Sequence, residues 1–215
     1  MLQAFTQLVH IPADDVHIEG MLKLPDNARG LVIFAHGSGS SRHSIRNNYV
    51  AKVLRNGAIG TLLIDLLTEE EDTNDQARFD IPLLTRRLLA ATRWLKAEQA
   101  LQQLPIGYFG ASTGAAAALQ ATALLDNQIS AVVSRGGRPD MADIEDLNSI
   151  TCPTLLLVGG LDDIIIALNN EAYRHLHCTK HIAIIPGATH LFEEPGALEK
   201  VASLACDWFR QYLPA

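Results

Sequence analysis

A chain of 215 residues, 48% of them hydrophobic and 19% charged, carries enough apolar side chain for a sizeable core, which excludes an intrinsically disordered protein. The length suits one α/β domain spanning residues 1–215. With 17 Lys and Arg against 24 Asp and Glu, the formal charge of −7 argues against nucleic acid or an anionic membrane as partner.

In chain order, residues 6–11 and 16–24 alternate partially around Pro12-Ala13-Asp14-Asp15 and predict an antiparallel pair at a sheet edge. Beyond Pro25 the pattern changes to short continuous apolar runs at 31–35, 61–65, 106–109, 130–134, 154–158 and 181–185. Such runs suit parallel strands buried on both faces. Helical spacing falls between most of them, at 48–56, 81–100, 112–125, 164–176 and 197–212. In the second helix Leu84, Leu88, Ala91 and Leu95 form the apolar stripe, with Arg86, Arg87, Arg93 and Lys96 largely outside it. The connection 66–80 is longer, acidic and polar, and Glu69-Glu70-Glu71-Asp72 is expected to be solvated. The alternation predicts a mostly parallel sheet of about eight strands with helices on both faces. Cys152, Cys178 and Cys206 are odd in number and form no CxxC pair, the first residues show no secretory pattern, and 107–125 is interrupted by Ser112, Thr113, Gln120 and Thr122. These features lead to the expectation of a cytoplasmic protein with no membrane span.

Gly110-Ala111-Ser112-Thr113-Gly114 matches G-x-S-x-G, follows the strand at 106–109 and opens a helix. A nucleophile elbow belongs at such a turn: the serine is strained, its hydroxyl projects above the sheet, and small neighbours let backbone approach closely. A serine nucleophile needs a base, and the base needs a carboxylate to hold its tautomer. Two strand ends downstream supply both, Gly159-Gly160-Leu161-Asp162-Asp163 and Pro186-Gly187-Ala188-Thr189-His190. The order is Ser112, then Asp162 or Asp163, then His190, as in α/β-hydrolases.

From the His36-Gly37 loop through GASTG and GGLDD to GATH, nearly the whole chain resembles the α/β-hydrolases, and within them the dienelactone hydrolase-like group. The resemblance implies an open parallel sheet with a Ser–His–Asp triad and places the acid at Asp162, third after the first glycine of the G-G-x-D turn. One departure is visible: dienelactone hydrolase itself carries a cysteine at the elbow, where this chain has Ser112.

Acyl transfer needs two N–H donors for the oxyanion. The amide of Thr113 is one, and the loop after 31–35 supplies the other, with Ser38 first and Gly39 next. A dinucleotide reading of Gly37-Ser38-Gly39 fails because Arg42 stands where a third glycine would be, and Asp65 lies too far on for a ribose acid. Arg135 and Arg138 leave a strand on the same rim and either hold a substrate carboxylate or make structural bonds. His175, His177, Cys178 and His181 resemble a metal set in composition, but they lie away from the elbow, and no metal is expected. The short gap between 134 and 154 leaves no room for a large lid. The expected activity is therefore a cofactor-free serine hydrolase of small esters, lactones or thioesters. An acyltransferase, a peptidase or a non-catalytic binding protein of the same fold are the alternatives.

Overall fold

The computed structural model describes residues 3–213. Strands β1 (Phe5–Ala13) and β2 (Val16–Leu24) pair antiparallel, with Phe5 opposite Leu24 and Ala13 opposite Val16. Ile18, Gly20, Leu22 and Leu24 are buried and the residues between them are not, so one face of β2 lies on the core. Strand β3 (Leu31–Ala35), β4 (Gly60–Ile64), β5 (Ile106–Ala111) and β7 (Thr154–Gly159) are buried at every residue. Strand β6 (Ile129–Arg135) is buried except at Ser130, and β8 (Lys180–Ile185) forms the more open edge. The six apolar runs of the sequence are these six strands.

The sheet order is β1-β2-β4-β3-β5-β6-β7-β8, with β2 antiparallel to β4 and every pair from β4 to β8 parallel. Helices α1 (Ile45–Asn56) and α7 (Ala197–Tyr212) cover one face through Val50, Leu54, Val201 and Phe209. The other face is covered mainly by α3 (Ile81–Ala97) and α4 (Thr113–Leu125), through Leu84, Leu88, Ala117 and Leu119. Between them in sequence fall the short helices α2 (Asp75–Phe79) and α5 (Ile144–Ser149), and then α6 (Asp163–His175). The chain leaves β3 for β4 on one side and returns to β5 on the other. That reversal opens a crevice above the carboxyl ends of β3 and β5, where α/β sheets place their ligands. The connection from β6 to β7 holds only a turn at 139–141 and α5, so among the described residues there is no lid.

Helix α3 begins where the Asp80 carboxylate accepts the Leu83 amide at 2.9 Å, and its apolar stripe is buried as expected. Arg87 corrects the reading of its outer face: it is only 3% exposed. Its guanidinium donates to the Ala13 carbonyl and to Glu71 Oε1, the latter at 2.7 Å. Glu71 is thus no solvated loop residue but the counter-ion of a buried arginine, and it fastens the 66–80 connection to α3. No helix among the described residues is long and apolar enough to cross a membrane.

Candidate active site

Ser112 sits between the last residue of β5 and the first of α4, with φ 51° and ψ −120°. A non-glycine residue pays about 1–3 kcal/mol for such a conformation and keeps it only when its surroundings over-determine it. Here the Ser112 amide donates to the Arg135 carbonyl at 3.2 Å, while the Ser112 carbonyl accepts from Arg138 at 3.1 Å and from Ala115 at 3.0 Å. The two glycines of the motif have steric reasons. A β-carbon at Gly110 would come 2.4 Å from Ala115 Cα, and one at Gly114 would come 2.3 Å from the carbonyl oxygens of Ala35 and His36. The first closes the elbow; the second lets α4 press against the end of β3. The Ser112 side chain makes no capping bond to α4, which leaves its hydroxyl for other chemistry.

Asp162 and His190 stand on the loops after β7 and β8. His190 Nδ1 and Asp162 Oδ2 are 2.7 Å apart. Asp is a favoured N-cap residue, and Asp162 occupies the N-cap of α6, yet its side chain makes no capping bond and turns to the imidazole instead. Asp163 is exposed in the first turn of α6. The carboxylate brought to His190 is therefore that of Asp162. The neutral tautomer in which Nδ1–H donates to it would leave Nε2 as an acceptor. Among the described residues no hydrogen bond joins Ser112 Oγ to His190. Both border the end of β6: the Arg135 carbonyl holds the Ser112 amide, and a β-carbon on the next residue, Gly136, would lie 3.4 Å from His190 Cε1.

The loop after β3 is built as a turn, with the Ser40 amide donating to the Gly37 carbonyl at 3.2 Å and Gly39 at φ 66° in the position that favours glycine. The structure does bring Ser38 and Thr113 together, through a contact the sequence does not reveal: the Ser38 amide donates to Thr113 Oγ1 at 3.0 Å. The Thr113 amide belongs to the first turn of α4, where N–H groups lack helical partners.

His36 braces this loop. Its Nε2 accepts the Leu66 amide at 3.0 Å and its Nδ1 donates to the Gly37 carbonyl at 2.9 Å. That pattern requires the neutral ring, and burial pushes its pKa below the ordinary value, against the opposing pull of the Gly37 bond and of Asp65 and Asp72. Arg42 completes the brace: its amide donates to Asp65 Oδ1 at 2.6 Å, and its guanidinium pairs with Asp65 and Glu19. The acid that a dinucleotide reading would give to a ribose is engaged by Arg42. A cleft of 560 Å³ opens beside this loop, lined by His36, Ser41, Arg42, Asp65 and Glu69 but by none of Ser112, Asp162 and His190.

The two arginines after β6 part company. Arg138 is held by Asp140 through Nε at 2.8 Å and Nη2 at 2.7 Å, a structural fork. Arg135 has Nε and Nη1 without a partner among the described residues and lies over the Phe192 ring, 5.9 Å from its centroid. The histidines and cysteine near β8 do not converge: His175 Nε2 lies 3.3 Å from Glu171 Oε1, and Cys178 Sγ 3.7 Å from Thr154 Oγ1.

The sequence pattern of the dienelactone hydrolase family matches residues 18–213. A dienelactone hydrolase from Anabaena variabilis is 51% identical, with a TM-score of 0.94 and coverage of 99% of this chain and 100% of that one. Est1E from Butyrivibrio proteoclasticus, 16% identical, shares the fold at a TM-score of 0.82 over 95% of this chain and 98% of its own. Two Mycobacterium tuberculosis proteins, one from each of two strains and each named "putative phosphoribosyl transferase", are 54% identical over 205 residues, which is 95% of this chain and 46% of theirs. The chain thus spans about half the length of the curated relatives it matches.

Proposed function

The chain belongs to the dienelactone hydrolase family, and we propose that it is a serine hydrolase cleaving a small carboxylic ester, lactone or thioester through an acyl-enzyme at Ser112. The observation that carries this reading is the 2.7 Å contact between His190 Nδ1 and Asp162 Oδ2. It supports the tautomer in which Nε2 can take a proton, on the same rim as a serine held in a strained elbow. His190 Nε2 would remove the hydroxyl proton as Ser112 Oγ attacks the acyl carbon, then return that proton to the leaving oxygen or sulfur. Water, activated by the same nitrogen, would release the acid and regenerate the serine. In sites of this kind the bond between nucleophile and base is often long without substrate and tightens on binding. The Thr113 amide would donate to the oxyanion. For the second donor Gly39 now precedes Ser38, because the Ser38 amide is already held by Thr113 Oγ1. None of these steps calls for a metal or cofactor.

The longer Mycobacterium tuberculosis proteins are named for a transferase, and this chain matches 46% of their length, so the proposal concerns that matched part. A fluorophosphonate probe tests the hydrolase reading: it should label the wild type at Ser112 and leave Ser112→Ala and His190→Ala unlabelled. Against a short-chain aryl ester, Ser112→Ala should lose about 10⁴- to 10⁶-fold in kcat, as in measured triads. Turnover that survives Ser112→Ala, or a wild type inert to both probe and ester, would overturn the proposal.

A further inference from the structure

Asn169 is an unexpected residue for its place. It lies inside α6 on the buried stripe with Ile165 and Ala172, and it is fully buried. Asparagine is a poor helix former, and a buried amide needs partners for its N–H groups. Both partners here are carbonyls: Asn169 Nδ2 donates to Ile165 at 2.9 Å, within its own helix, and to Gly137 at 3.0 Å, outside it. Its Oδ1 is buried without a partner among the described residues. Thr92 and Thr122 show a simpler way to bury a polar side chain in a helix of this fold. Each bonds the carbonyl four residues back, Leu88 at 3.0 Å and Ala118 at 2.7 Å. A threonine at position 169 would bond Ile165 in the same manner. What the amide adds is the reach to Gly137.

The address of Gly137 gives that reach its meaning. Residues 135–138 grip the elbow from both sides, the Arg135 carbonyl accepting the Ser112 amide at 3.2 Å and the Arg138 amide donating to the Ser112 carbonyl at 3.1 Å. Gly137 stands between these two bonds, where a β-carbon would come 2.0 Å from Ser134 Oγ and 2.8 Å from Ala115 Cβ. Its neighbour Gly136 donates its amide to the Leu157 carbonyl of β7 at 2.8 Å. At the other end of the link, α6 is the helix whose N-cap is Asp162, the partner of His190. The Asn169 side chain thus ties the helix that carries the acid to the loop that holds the serine's backbone.

We propose that Asn169 is a positioning residue whose bond to the Gly137 carbonyl sets where Ser112 stands relative to His190. It acts through the 135–138 loop and not on the substrate. The consequence for rate rests on the serine hydrolase reading; the clamp on the loop does not. A reacting group displaced by about 1 Å can lose about 100-fold in rate.

Asn169→Thr tests this, because it keeps a bond to Ile165 and removes the one to Gly137. Its fluorophosphonate labelling should reach the wild-type endpoint but run about 10- to 100-fold more slowly. Against a short-chain aryl ester kcat should fall by the same factor, with KM within about threefold of wild type. The acid limb of the kcat/KM profile should not move, since the contact between His190 and Asp162 is left in place. Should Asn169→Thr fail to fold, Asn169→Ser makes the same internal bond with less bulk. Hydrogen exchange reads the clamp without any chemistry: the Ser112 and Arg138 amides should exchange about tenfold faster in the variant, while the amides of α6 keep their wild-type rates. An asparagine that only stabilises the fold predicts a different pattern, with fewer sites labelled at the endpoint, an unchanged rate at those that label, and faster exchange throughout α6. That pattern, or a labelling rate unchanged in a folded variant, would overturn the inference. A wild type inert to the probe would overturn the hydrolase reading alone, and unchanged exchange at Arg138 would then overturn the clamp as well.

Discussion

Two halves of the carboxyl rim of the sheet handle charge in opposite ways. Over β2, β4 and β3 the charged and polar groups are braced against one another: Arg42 with Asp65 and Glu19, although its Nε is buried without a partner among the described residues, and His36 with Leu66 and Gly37. Over β5 to β8 they are aimed but not used up. Ser112 makes no capping bond, Asp162 leaves its helix for His190, and Arg135 has Nε and Nη1 buried without partners. Matched groups buy rigidity for a loop, whereas unmatched ones keep their bonding capacity for something that arrives. The boundary between the halves runs between β3 and β5, where strand order reverses, and the Ser38–Thr113 bond crosses it.

The comparison breaks most sharply at the pair of adjacent acids. If Asp162 orients the base and Asp163 only caps the helix with charge, Asp162→Asn should lose about 10⁴-fold in kcat, as removal of a triad carboxylate's charge does. Asp163→Asn should stay within about threefold, since an exposed first-turn carboxylate contributes only a fraction of a kcal/mol to its helix. Steady-state hydrolysis of an aryl ester by the two variants decides the matter. Equal losses would mean that the loop after β7 moves in solution and that the 2.7 Å contact is not the working one.

How much of this was legible in the sequence follows from the range of the interactions involved. The six parallel strands and the helices α3, α4, α6 and α7 come from local apolar patterning, and the elbow from five contiguous residues, of whose glycines Gly110 has a local steric cause and Gly114 a distant one at the end of β3. Helices α2 and α5 escape because five and six residues are too few for a period to show. Arg87 was assigned to the outside because the helix stripe says nothing about a distant glutamate that can neutralise an inward arginine. The bond that engages the Ser38 amide is hidden for a similar reason, since it joins residues 75 apart. Patterning does not resolve Asp162 from Asp163, and a resemblance had to choose; the geometry that separates them is a side-chain direction. The difference between Arg138, held by Asp140, and Arg135, held by no acid among the described residues, is equally invisible from RGGR alone.

A stability experiment sharpens the comparison by asking for opposite signs. Arg42→Met would strip Asp65 and Glu19 of their partner, and with the pair's side chains 18% and 15% exposed the loss should be about 2 kcal/mol, below the value for full burial. Arg135→Met removes an unmatched guanidinium from an apolar setting over Phe192 and should leave the protein as stable or about 1 kcal/mol more so. Urea unfolding in an anion-poor buffer measures both. A loss of 2 kcal/mol or more in Arg135→Met would show that the fold matches this arginine after all, and the two halves of the rim would no longer differ in kind.

The smallest effect belongs to His36, and its sign follows from linkage. Burial holds the folded-state pKa of His36 below its ordinary value of 6.5. The unfolded chain therefore takes up the proton first as pH falls. The stabilisation due to the neutral ring is complete above pH 6.5 and is lost as pH drops toward the depressed folded value, at no more than about 1.4 kcal/mol per pH unit for a single proton. His36→Gln can keep a side-chain acceptor toward the Leu66 amide without titrating. The difference in unfolding free energy between wild type and His36→Gln should then be constant above pH 7 and shift in favour of the variant between pH 6.5 and 5. A difference that stays flat across this range would mean that the ring accommodates its proton in place, and that the loop after β3 is held by Arg42 and Asp65 without help from a neutral imidazole.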